Sequence, residues 1–240
     1  MNQQGEQGEK RIQTEISFAF MQTIPVMLGY LCLGIAFGLM LQDAGYHFLL
    51  AFFCSVFIYA GSMQFVLVTL LTGGVSLVYA AVMTFFINGR QIFYGLSLID
   101  QFKSMGKFYP YMIFSLTDET YSLMCSVKIL ENLNAKRTMF LMSLFDHLYW
   151  VTGSVIGAVA GQLIKFDTNG VDFSMTALFI VIVLNQWKES KSHVSAIAGF
   201  VIGLIFLMLL GPEHFLVPAL AVVSLFLIAV KGKIEGKEAE

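Results

Sequence analysis

The chain has 240 residues, 57% of them hydrophobic and 12% charged, with a formal charge of −2 and a mean hydropathy of +0.75. A soluble domain carries roughly 25% charged residues, so this chain has too little polar surface to cover a globule in water and reads as an integral membrane protein. With Lys and Arg at 14 against Asp and Glu at 16, no basic surface is left to follow a phosphate backbone, which excludes nucleic acid as a partner.

A helix that crosses a bilayer needs roughly 20 apolar residues. Runs of about that length, bounded by charge, Gly or Pro, fall at Ser17–Leu41, His47–Leu71, Val75–Leu98, Tyr109–Ile129, Met139–Ile164, Phe173–Trp187, His193–Leu210 and His214–Val230. They predict an all-α polytopic membrane protein of about eight transmembrane helices with short loops. The sixth run is short, so seven helices plus a re-entrant segment is the alternative count. Residues 1–16 form a polar N-terminus, 17–230 one transmembrane domain and 231–240 a charged tail. The first apolar run is longer than the core of a signal peptide and has no small-residue cleavage site, so it reads as the first membrane helix.

Retained cations mark cytoplasmic loops. With the N-terminus inside, eight alternating spans place Lys10, Arg11, Lys128, Lys136, Arg137, Lys188, Lys191, Lys231, Lys233 and Lys237 in the cytoplasm and Lys103, Lys107 and Lys165 outside, with both termini cytoplasmic.

Arg90, Asp118, Glu119, Asp146 and His147 fall inside the runs, where a charge must face protein or water. In the fourth run Tyr111, Ser115, Asp118, Ser122 and Cys125 recur at helical steps on one face. In the third, Arg90 and Tyr94 share a face beside Asn88 and Gln91. Arg90 and Asp118 lie about 12 and 13.5 Å inside the ends assigned to their helices, at 1.5 Å per residue. Adjacent antiparallel helices would then bring the two charges to one level, either as an ion pair fixing register or as a polar site at mid-membrane. In the second run, Gly61 and Ser62 followed by Gln64 read equally as a mid-membrane break offering backbone groups to a ligand or as a close helix crossing. Pro25, Gly29, Gly34 and Gly38 predict that the first helix bends and packs closely. Gly153, Gly157 and Gly161 form a packing ridge on the fifth. Asp146 with His147 reads as a proton- or ion-coupling pair or as a satisfied buried His.

No G-x-S-x-G, G-x-G-D, H-E-x-x-H or Walker sequence occurs, and the last helix lacks a Lys for a retinal Schiff base. Cys32, Cys54 and Cys125 sit in apolar runs without metal-binding spacing, so no cofactor, metal or disulfide is expected. Carrier, channel and integral subunit of a larger complex remain.

The stretches FIYAGSMQFVLVTLL at Phe57–Leu71, NGRQIFYGLSL at Asn88–Leu98, SLTDETYSL at Ser115–Leu123, YWVTGSVIGAVAGQLI at Tyr149–Ile164 and DFSMTALFIVIVL at Asp172–Leu184 resemble the AzlC family in order and spacing. The resemblance implies a bacterial cytoplasmic-membrane permease that exports branched-chain amino acids, with Met and analogues as further candidates. It also implies a small AzlD-type membrane partner and leaves homo-oligomerisation open. The family pattern has His after the N-x-R arginine where this chain has Gln91, so a proton role does not carry over to that position. Inner loops around Thr72–Gly74, Leu130–Thr138 and Lys188–Ser192 are too short to couple to an ATPase, which favours a secondary carrier over a passive channel or a non-transporting subunit.

An amino acid brings a carboxylate, an ammonium and an apolar tail. The candidate substrate-binding residues are Gly61, Ser62, Gln64, Asn88, Arg90, Tyr94, Asp118, Glu119 and Thr120. Arg90 or the Gly61–Ser62 break suits the carboxylate and Asp118 or Glu119 the ammonium. Phe93, Tyr94, Tyr121 and Trp150 are available for the tail.

Overall fold

The computed structural model describes residues 3–163, 193–211 and 215–238, together with Phe173, Ile180, Val183, Leu184, Trp187 and Lys188; the side chains of Arg90 and Phe93 lie outside the described residues, as does most of the sixth run. Regular structure among them is helical throughout: α1 (Gln3–Asp43), α2 (Phe48–Phe57), α3 (Gly61–Thr72), α4 (Leu77–Lys103), α5 (Tyr109–Phe114), α6 (Asp118–Ser126), α7 (Ala135–Leu163), α8 (Val194–Leu210) and α9 (Leu216–Glu238). They form two compact units, Met1–Val75 with Ile87–Ser174, and Ser76–Phe86 with Met175–Glu240. In the second, α8 and α9 pack on each other beyond a turn at Gly211, whose φ of 72° favours glycine.

The first unit is built on α1 and α7, both long and apolar enough to cross a membrane. α1 continues through Pro25 as one helix. Its partner residues rise together along both chains: a Cβ added to Gly153 would lie 2.8 Å from Leu31 O, one on Gly157 would strike Ile35 O, and one on Gly161 would lie 3.0 Å from Gln42 Cγ. The two helices therefore run parallel. Gly34 and Gly38 face back in the same way, with a Cβ on Gly34 2.9 Å from Ser154 N and one on Gly38 striking Ser154 O. The two glycine ridges thus fill each other, backbone against backbone, so they give no argument for a partner subunit. Gly29 lies outside this contact, with nothing within 4 Å of its Cβ position.

The second run does not cross from end to end. After the turn at 44–47, where Tyr46 N donates to Leu41 O at 3.1 Å, α2 descends along α7 until Ser55 meets His147. The helix stops at Ile58, Tyr59 takes a φ of 44°, and α3 restarts at Gly61. Gln64 Nε2 reaches Ser55 Oγ at 3.3 Å, a meeting that a continuous helix with about 13.5 Å of rise between them would forbid. Tyr59 packs on Tyr30, whereas Phe65 packs on Phe37 two turns further along α1. α2 and α3 are therefore two arms of a hairpin whose tip is Tyr59, and the loop at Thr72–Gly74, expected at the inner end, lies at the opposite one.

The fourth run makes a mirror-image hairpin. Phe108 packs on Phe140, Tyr111 on Phe140 and His147, and Phe114 on His147, so α5 climbs parallel to α7. Ser115 ends it, and Thr117 starts α6 by accepting Thr120 N–H at 3.2 Å. α6 then returns: Tyr121 stacks on Tyr94 at 4.5 Å, and Met124 and Ile129 pack on the cluster of Phe102, Met105, Met112, Leu116 and Met139. Two expectations are corrected here. Tyr111, Ser115, Asp118, Ser122 and Cys125 do not line one continuous helix, because a Thr followed by two acids is a stronger helix start than a helix interior. α4 and α6 run parallel, not antiparallel, since Tyr94 and Ser97 both meet Tyr121 as each helix heads for Met139.

The near ends of these helices are tied together. Glu15, fully buried, accepts Asn134 N–H at 3.0 Å and pairs with Arg137 Nη1 at 3.3 Å. Lys136 Nζ donates to Ser104 O. Lys103 and Lys107 consequently lie at the same end as Glu15, Lys136 and Arg137, which corrects their assignment to the side opposite Lys136 and Arg137. Eight alternating spans do not survive, because His47–Leu71 and Tyr109–Ile129 each turn back at mid-length.

Candidate functional site

The two hairpin tips meet against α1 and α7 in a buried polar layer. On the α3 side, Gly61 lets the helix start press on Trp150: a Cβ there would sit 3.3 Å from the indole ring. Ser62 is 7% exposed. The N-cap position, Ala60, gives α3 no side-chain cap. Gln64, fully buried, staples the tip: its Oε1 accepts from Trp150 Nε1 at 2.9 Å and from Ala60 N at 3.2 Å. This candidate binding residue thus sits inside the tip, bonded to both of its arms and to α7.

On the α6 side, Thr117 Oγ1 lies 2.6 Å from the Tyr30 hydroxyl, which donates to Glu119 Oε2 at 2.8 Å. Thr120 Oγ1 lies 3.0 Å from Thr117 Oγ1 and donates to Asp146 Oδ2 at 2.9 Å. Asp146 is fully buried, and its Oδ1 has no hydrogen-bond partner among the described residues. Asp118 begins α6, half-buried, beside Glu119.

Asp146 and His147 are chain neighbours with different partners. Ser55 O only accepts, so His147 Nε2 carries the hydrogen across their 3.1 Å contact, and Nδ1 accepts from Tyr111 Oη at 3.0 Å. Both ring nitrogens of His147 are thus engaged, closing the carbonyl freed at the end of α2 and tying both hairpins to α7.

Asn88, Arg90 and Tyr94 lie on α4. Asn88 is half-buried, and Tyr94 stacks on Tyr121. The backbone turns of Arg90 and Asp118 are each one turn from that stacked pair, so they share a level. The Arg90 side chain lies outside the described residues, and so does its pairing with Asp118.

Sequence reasoning missed Tyr30, Ser55 and Thr117. Thr117 had a readable signal, an N-cap residue with acids in the following turn. Tyr30 and Ser55 had none, because their roles arise from partners 89 and 92 positions away. Chemically, the layer offers carboxylates and hydroxyls suited to an ammonium or a proton, beside an uncapped helix start suited to a carboxylate. Among the described residues no group of three His, Cys, Asp or Glu is placed to hold a metal ion.

Residues 25–164, which contain both hairpins and this whole layer, match the family model described as AzlC protein. The chain belongs to the AzlC family. The branched-chain amino acid transport protein AzlC of Bacillus subtilis strain 168 is 38% identical over 231 residues, covering 95% of this chain and 91% of that protein. A membrane protein of Helicobacter pylori strain 26695 is 41% identical over 217 residues, 90% of this chain and 95% of its own length. Inner membrane protein YgaZ of Escherichia coli K12 is 30% identical over 193 residues, 75% of this chain and 78% of that one. No solved structure matches. This AzlC-family chain is a membrane transport protein, and its polar layer is where transport chemistry is to be sought.

Proposed function

We propose that the chain is the large subunit of a two-component secondary carrier that exports branched-chain amino acids across a bacterial cytoplasmic membrane. The observation that carries the reading is the meeting of two interrupted helices, from opposite ends, at one buried polar layer on α7. Transporters use such interruptions to give a substrate backbone groups at mid-depth. The start of α3 at Gly61 and Ser62 would take the carboxylate, Glu119 with Asp118 the ammonium, and Trp150 the aliphatic tail. Burial of Tyr59 and Trp150 at 3% and 2% exposure favours alternating access over an open channel. The small AzlD-type partner follows from family likeness alone.

The topology that fits is α1, α4 and α7 as spans, with the α2–α3 and α5–α6 hairpins re-entrant from opposite faces. Lys10, Arg11, Lys103, Lys107, Lys128, Lys136 and Arg137 then all lie toward the end marked by Glu15, whereas the connections at 44–47 and 73–76 carry no cation. That asymmetry makes the Glu15 end cytoplasmic.

Counterflow of labelled Leu, Ile, Val and Met into proteoliposomes, with and without the AzlD-type subunit, tests the reading. Saturable exchange is expected, strongest with both subunits. Well-folded protein that exchanges none of the four under either condition overturns it.

A further inference from the structure

Hydrogen bonds run unbroken between two carboxylates through three hydroxyls, in the order Glu119, Tyr30, Thr117, Thr120, Asp146. Tyr30, Thr117, Thr120 and Asp146 are each at most 6% exposed. Counting hydrogens constrains the charge. The chain has four O···O links, and its three hydroxyls supply one hydrogen each. With both carboxylates ionised, Tyr30 serves Glu119 and Thr120 serves Asp146. Thr117 then has one hydrogen for two links, and either the 2.6 Å contact to Tyr30 or the 3.0 Å contact to Thr120 sets lone pair against lone pair. Its remaining lone pair is held by Thr120 N–H. One added proton on either carboxyl fills every link.

We propose that Glu119 and Asp146 share one proton, which Tyr30, Thr117 and Thr120 relay between them, so that the proton is the coupling ion of this carrier. The inference rests on the transport reading for its purpose but not for its chemistry. In the relay the Asp146 Oδ2–H bond breaks as that hydrogen bonds to Thr120. The Thr120 hydrogen passes to Thr117, that of Thr117 to Tyr30, and that of Tyr30 to Glu119 Oε2. Each hydroxyl ends with one hydrogen, and the negative charge moves from Glu119 to Asp146. The two ends sit on different elements: Glu119 on the hairpin tip, Asp146 on α7 beside α1. A proton on Glu119 leaves with the tip, and one on Asp146 stays, so withdrawal of the tip commits the proton to one side.

The groups around the relay are Tyr59 from the other tip, Tyr111 from α5, Asp118 on α6, and His147 and Tyr149 on α7. α4 brings Tyr94 to α6 and carries Arg90. His147 is not the carrier, because both its nitrogens are engaged away from Asp146.

Infrared difference spectroscopy of the purified full-length chain, titrated in H2O and D2O, reads the shared proton as the carbonyl stretch of a protonated carboxyl. Tyr30→Phe removes no ionisable carboxyl, yet it leaves two hydroxyls for two links and abolishes the need for the extra hydrogen. The pH at which the band disappears should fall by about one unit or more in Tyr30→Phe and in Glu119→Gln, and the band should be lost in Asp146→Asn. In proteoliposomes with the partner, the ratio of pH-gradient-driven leucine accumulation to counterflow at equal pH should drop roughly a hundredfold in Tyr30→Phe. A band unmoved by Tyr30→Phe and Glu119→Gln, or a gradient response equal to wild type in Tyr30→Phe, overturns the relay even where counterflow stands. Absent counterflow with the band behaving as stated removes the transport reading and leaves the shared proton.

Discussion

Tyr59 and Phe114, from hairpin tips that enter at opposite ends of the α1–α7 pair, face each other with ring centroids 6.3 Å apart. Each tip is also fastened to α7 through His147, by Ser55 O on one side and Tyr111 Oη on the other. The closed layer is therefore held by a few side-chain contacts between tips and by hydrogen bonds to α1 and α7. Withdrawing either tip opens the layer toward one end only, the motion that alternating access needs.

The re-entrant topology fixes which loops share a side. Cysteines at Gly106 and Asn134 should label from the same side of sealed vesicles, and cysteines at Gly45 and Gly74 from the other. Straight passage of the second and fourth runs would instead put Gly106 with Gly45. Labelling in that pattern refutes the hairpins.

The parallel α1–α7 contact should tolerate no added methyl. Gly157→Ala and Gly38→Ala place a Cβ against backbone atoms that cannot swing aside, so each should cost about 1–3 kcal/mol or more, seen as a lower melting temperature in detergent. Gly29→Ala, with open space at its Cβ, should be at least as stable as the parent, since Ala is the better helix former.

Gln64→Leu strips partners from the Trp150 indole N–H, the Ala60 N–H and the Ser55 hydroxyl together. Roughly 1–3 kcal/mol is expected for each buried donor left unpaired. In a double-mutant cycle Trp150→Phe should couple to Gln64→Leu by about 1 kcal/mol. Simple additivity of the two losses would show that the indole bond does not hold the tip.

The sequence carried the helical class, the family and the close packing of Gly153 and Gly157, because hydropathy and small-residue spacing are local signals. It carried the break at Gly61 only as one of two equal readings. Apolar length could not reveal that α3 turns back, since two half-length arms have the same hydropathy as one full span; the reversal is decided by Gln64 meeting Ser55 and by Phe65 meeting Phe37. Asp118 and Glu119 stand out in the sequence as charges within an apolar run, and Thr120 beside them as a candidate binding residue. Thr117 reads as helix interior in a run of that length, and Tyr30 as an ordinary aromatic; only the fold brings Glu119 to its hydroxyl.

At the other end of the α1–α7 pair, Arg137→Ala should remove the cation paired with buried Glu15, which keeps its bond from Asn134 N–H. Because the Arg137 side chain is 44% exposed, solvent moderates the loss to about 1–2 kcal/mol, and Arg137→Lys should recover part of it. Stability unchanged by Arg137→Ala would mean that the pair does not clamp α1 to α7.

The glycine groove between α1 and α7 also sets an order of assembly. More than a hundred positions separate Gly34 from Gly153, so the ribosome finishes α1 and both hairpins before the helix that seats them has been made. During that interval α1 waits in the insertion machinery with its smallest residues uncovered, and neither tip has a completed surface to rest on. Biogenesis should therefore be most vulnerable at the emergence of α7. A chain released before residue 153 is expected to be recognised and degraded as an orphan, while one released just past residue 163 already carries both sides of the glycine contact.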